Sequence, residues 1–122
     1  MNKNTFGKSQ ASVHLYEELK KVNDKKLTRK VSNLLRESSE DMNALYRIHN
    51  MNTRVRFLKL LKSYSINKAK ELTGDNQTVS NFLLNVLTAR FRQCFAQADK
   101  IRRVQKADQQ RKSALLKTNG NN

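Results

Sequence analysis

The sequence predicts an all-α protein of about four helices, the last one long, and three observations carry that expectation. Proline is absent and only one of the three glycines, Gly74, lies inside the body of the chain, so strong helix breakers are nearly missing. Apolar residues recur at helical spacing along four successive stretches. Short polar segments, "VNDKK", "HNMNT" and "GDNQT", separate them. A chain of 122 residues is the size of one domain and can bury roughly two-thirds of its unfolded surface. The expected organisation is a flexible arm over residues 1–9, a single helical domain over 10–112 and a flexible tail over 113–122.

The first helix is expected from Ser9 or Ser12, either of which can cap it, through Leu15, Tyr16, Leu19 and Val22. Leu27, Val31, Leu34, Leu35, Met42, Leu45 and Tyr46 then keep one stripe if Ser38 is allowed onto it. That favours one helix with a weak middle, although Ser38 followed by Asp41 resembles a capping box and could divide it. Thr53 is the expected cap of the third helix, whose stripe is Phe57, Leu58, Leu61, Tyr64, Ala69 and Leu72. Gly74 suits a left-handed closing residue. After Thr78 the stripe Val79, Leu83, Val86, Leu87, Phe91, Cys94, Phe95, Ala98 and Ile101 continues without a breaker to about residue 112 or beyond.

Charge bounds the function. Lysine and arginine number 25 against 10 acidic residues, a net charge of +15, and self-repulsion on that scale favours a polyanionic partner. The excess is uneven: ten basic and six acidic residues in 1–50, fifteen and four in 51–122. On the third helix Arg54, Arg56, Lys59, Lys62 and Lys70 fall largely off the apolar stripe; on the fourth, Arg90, Arg92, Lys100, Arg102, Arg103, Lys106, Arg111 and Lys112 do so. Such side chains can follow a phosphate backbone, where each neutralised phosphate releases counterions. Gln93, Gln97, Gln105, Gln109 and Gln110 add neutral donors and acceptors along the same helix. The expected function is nucleic-acid binding, to DNA or RNA, as a regulatory or accessory factor of a mobile element or a ribonucleoprotein. The alternative is an adaptor or inhibitor whose basic surface docks on an acidic protein.

The aromatic residues Tyr16, Tyr46, Tyr64, Phe91 and Phe95 all coincide with apolar periodicity, so packing is expected of them before stacking on bases. Val79, Leu83, Val86 and Leu87 could seal a homodimer as well as a monomer core. The last helix offers little apolar surface opposite its basic face, which argues against a membrane role. No signal-peptide pattern or long apolar segment appears in the sequence, and a single cysteine, Cys94, allows no internal disulfide. A cytoplasmic protein is expected. His14, His49 and Cys94 lack metal-ligand spacing, no glycine-rich phosphate loop occurs, and Cys94 reads as a small buried apolar residue. Neither an enzyme nor a cofactor is expected.

Residues 53–92 resemble a ribbon-helix-helix DNA-binding module, in which paired strands from two chains enter the major groove. "TRVRF" would be the strand, "LKLLKSYSINKAKELTG" the first helix and "TVSNFLLNVLTARF" the second. The resemblance implies Thr53, Arg54 and Arg56 directed towards bases and the Thr78–Ser80 end towards phosphate. The sequence departs from the module in its apolar run Phe57, Leu58, Leu60 and Leu61 and in the three residues between Gly74 and Thr78. A weak internal echo, "VSNLL" at 31–35 and "VSNFLL" at 79–84, is the only repeat visible.

Overall fold

The computed structural model describes the backbone of residues 10–120 and the side chains of residues 10–115; the expected N-terminal arm lies outside the described residues. Four helices make an all-α bundle: α1 Gln10–Val22, α2 Lys25–Leu45, α3 Met51–Leu72 and α4 Gln77–Gly120. No strand occurs among the described residues. Helix α4 lies between α1 and α3, and α2 packs on α3 while meeting α4 more narrowly. The pairs Ser39 with Arg90, Met42 with Cys94 and Tyr46 with Gln97 step in the same direction. Helices α2 and α4 are therefore parallel. Asn52 with Arg102 and Lys62 with Phe95 step in opposite directions, which makes α3 antiparallel to α4.

Each boundary has a local cause. Asn23 closes α1 in the left-handed region at φ 55°, which Asn tolerates better than most residues. Asp24 then caps α2, its carboxylate accepting from the amides of Lys26 and Leu27 at 3.0 and 3.1 Å. Helix α2 runs unbroken past Ser38, which is buried on its inner face. Asn50, not Thr53, caps α3, accepting from the Thr53 amide at 3.0 Å. Asn76 does the same for α4 through the Val79 amide, also at 3.0 Å.

The course of α3 revises three expectations. "TRVRF" lies in the first turns of a helix, so the ribbon of the ribbon-helix-helix module is not formed. Met51, Arg54, Leu58, Ser65 and Ala69 make the buried face, a spacing that suits a helix and not a strand. Because Ser65 takes the inner position, Phe57 and Tyr64, expected in the core, are exposed. Nor does Gly74 adopt a positive φ. Thr73 closes α3 instead, with both its amide and its hydroxyl donating to the Ala69 carbonyl, at 3.1 and 2.6 Å. At the far end the α4 backbone continues through residues 113–120, expected as tail, because "SALLK" holds no residue that stops a helix.

The core joins Leu15 and Leu19 of α1, Val31, Leu34, Leu35 and Met42 of α2, Leu58 and Ala69 of α3, and Val79, Leu83, Val86, Leu87 and Phe91 of α4. Each fully buried aliphatic or aromatic side chain contributes on the order of 1.5–3 kcal/mol. The four α4 residues suited to a homodimer seam are thus buried within the single chain. Ser12, Ser38 and Ser65 are also buried, and side chains this small let helix axes approach closely.

Gly74 gives a direct check. A Cβ there would meet the Lys70 carbonyl at 3.4 Å, ordinary contact, and no left-handed backbone has to be kept. Gly74→Ala is expected to stabilise the fold by about 0.4–1 kcal/mol through the unfolded chain, read from urea unfolding. A loss of stability would contradict the Thr73 closure.

Candidate nucleic-acid interface

Most of the basic residues singled out in the sequence fall into three groups in the structure. Arg54 and Arg90 turn inward. Arg54 is 8% exposed; its Nη2 donates to the Tyr46 carbonyl at 2.9 Å and its guanidinium lies 5.0 Å from the Tyr46 ring centre. It clamps the link between α2 and α3 to the start of α3. Arg90, half-buried, donates from Nη1 to the Ser39 hydroxyl at 3.1 Å and to the Leu35 carbonyl at 3.4 Å. Desolvation lowers its pKa, opposed by the nearby Tyr16, yet a guanidinium stays protonated. Both arginines serve the bundle, and Arg54 is not available to a phosphate chain.

A second group stands on the bundle surface. Arg56, Lys59, Arg92 and Lys100 are exposed, while Lys62 is half-buried with Nζ 5.9 Å from the Phe95 ring centre, a cation–π contact. Three of them lie on α3 and two on α4.

The third group converges. A polar crevice of about 790 Å³ runs between the start of α3 and the second half of α4, lined by Asn50, Asn52, Arg102, Arg103, Lys106 and Gln109 among others. Arg102 bridges its walls, donating to Asp99 at 2.6 Å and to Asn52 at 3.3 Å. The first turn of α3 carries no acidic residue, so the positive end of that helix dipole adds to the field of the arginines. His49, Asn50 and Asn52 join the site without any motif to announce them. Their only signal is position, in a link that the fold brings against a basic helix.

Past this crevice α4 runs beyond the buried core. Every described residue from Arg103 to Leu115 is exposed, about 20 Å of helix at 1.5 Å per residue. Arg103, Lys106 and Lys112 form no ion pair among the described residues. Arg111 meets Asp108 at 3.0 Å on the same helix, a spacing that supports an exposed helix by a few tenths of a kcal/mol. Gln97, expected on the binding face, instead accepts from the Tyr46 hydroxyl at 2.6 Å. Burial pushes the Tyr46 phenol above its ordinary value, helped by Cys94 and opposed by Arg54. The hydroxyl therefore remains a donor at neutral pH.

The remaining candidates are structural in their contacts. Cys94 lies 3.4 Å from the Met42 sulfur and 3.8 Å from the Tyr46 hydroxyl. His14 stacks on Phe82 at 5.9 Å between ring centres. Among the described residues no three His, Cys, Asp or Glu side chains gather in a way that could hold a metal, and no helix is long and apolar enough to cross a membrane.

If Arg54 is a clamp, Arg54→Ala should lower unfolding free energy by about 1.5–3 kcal/mol, the range for a hydrogen bond to a charged group. A variant as stable as wild type in urea would contradict that role. In comparisons with known proteins, the chain matches no family model, no curated protein and no solved structure.

Proposed function

We propose that this chain binds nucleic acid, DNA or RNA, through its phosphate backbone, acting as a small regulatory or accessory factor within the cell. One observation carries the reading: among the described residues, α4 buries no side chain beyond Arg102, and its cations Arg103, Lys106 and Lys112 have no ion-pair partner. Solvation alone would account for such a face on a protein of ordinary charge; at +15 a polyanion also relieves the self-repulsion of the chain.

The proposed mechanism is electrostatic capture. Arg103, Lys106 and Lys112 make the first contacts, and the crevice beside the start of α3 holds one phosphate group of the backbone near Arg102 and Arg103. Arg111 and Arg102 can exchange their aspartate partners for phosphate with little change in helix geometry. Arg56, Lys59, Arg92 and Lys100 extend the field over the bundle. No base needs to be read for binding of this kind.

Salt dependence makes the reading quantitative. Each phosphate neutralised on a duplex steepens the fall of log affinity against log salt by about 0.9. A variant carrying Arg103→Gln, Lys106→Gln and Lys112→Gln should therefore bind more weakly and show a slope shallower by roughly two to three, while its unfolding transition stays in place. An unchanged slope, or wild-type affinity no greater than that of an unrelated protein of equal charge, would overturn the proposal.

A further inference from the structure

The turn of α3 that buries Ser65 leaves an apolar stripe on a different face, roughly 120° round the helix from the buried one. Phe57 is 46% exposed, and Leu60 and Tyr64 are each 60% exposed. These residues fall at spacings of three and four, which places them on one face of the helix. From Phe57 to Tyr64 the stripe spans roughly 10.5 Å. Among the described residues the bundle leaves all three in the exposed class.

The charges beside the stripe narrow its occupant. Arg56, Lys59 and Lys68 are exposed on α3, and the helix carries a single acidic residue, Glu71. Two copies of the chain brought together along α3 would set these cations against each other, each copy already carrying +15. An anionic partner with flat apolar groups meets both halves of the surface at once: rings for the aromatic side chains, phosphates for the lysines and arginine. Unpaired bases on a single strand have this chemistry, whereas a duplex keeps its base faces stacked inside.

We infer that the Phe57, Leu60 and Tyr64 face of α3 is a stacking platform for a single-stranded segment of nucleic acid. This rests on the nucleic-acid reading above and adds to it: α4 supplies affinity for phosphate of any strand form, and α3 supplies preference for unpaired bases. Tyr64 and Phe57 take the bases, Leu60 covers the gap between them, and Arg56, Lys59 and Lys68 follow the backbone alongside.

The test compares a labelled single-stranded 20-mer, as oligo(dT) and as oligo(U), with a 20-base-pair duplex. For Phe57→Ala with Tyr64→Ala, single-strand affinity should fall about tenfold or more and duplex affinity should stay within about twofold. Both positions are exposed, so the circular dichroism spectrum and melting transition should match wild type. In a separate Tyr64→Trp variant, emission should be quenched by the single strand and not by the duplex. Unchanged single-strand affinity, or equal losses for both ligands, would overturn the platform and leave the α4 reading standing. Absence of binding to either ligand by wild type would overturn both and turn attention to an acidic protein.

Discussion

Helix length is the constraint on which the rest of this structure depends. Helix α4 has 44 residues while α1, α2 and α3 have 13, 21 and 22, so at 1.5 Å per residue the bundle can flank only about half of it. The sequence of α4 is divided to match. Buried residues run from Val79 to Ala98 and cease there, Ile101 and Arg102 are half-buried, and exposed residues follow. A helix placed between two others for half its length is held firmly by packing. Its continuation inherits that direction without needing a core of its own, and can be made of arginine, lysine and glutamine.

The same division explains where charge can be tolerated. Basic residues inside the bundle are held by neutral oxygens and ring faces, as Arg54 and Arg90 are, and do not pair with carboxylates. On the surface, ion pairs such as Arg36 with Glu40 at 3.3 Å occur within one helix, where they contribute only tenths of a kcal/mol. The large positive excess is thus left unneutralised on the outside, chiefly on α3 and α4. In this reading a polyanion completes the electrostatics of the fold in addition to being its ligand.

Much of the fold is legible in the sequence because periodicity and breakers agree. Four stripes separated by three polar segments specify the four helices, and the α4 core positions Val79, Leu83, Val86, Leu87 and Phe91 are all buried. Capping is less legible, since "HNMNT" and "GDNQT" each offer several oxygens and only backbone geometry selects Asn50 and Asn76. The orientation of α3 is harder still. Its buried face includes Arg54 and Ser65, while the aromatic Phe57 and Tyr64, which carry far more apolar surface, point outward. What overrides hydropathy is tertiary: Arg54 reaches the Tyr46 carbonyl, and a small Ser65 fits where a ring would hold the helices apart. The basic end of α4 is legible from composition. Its convergence with Asn50 and Asn52 is not, because it depends on α3 being antiparallel to α4.

Hydrogen exchange along α4 tests the central claim most directly, namely that one helix is packed in its first half and open for a ligand in its second. In the free protein, amides from residue 83 to 98 should be strongly protected and those from 103 to 115 should exchange orders of magnitude faster. Adding nucleic acid at low salt should slow exchange in 103–115 and leave 83–98 unchanged. Protection of 103–115 already in the free protein, or a complex that forms without altering them, would contradict the account.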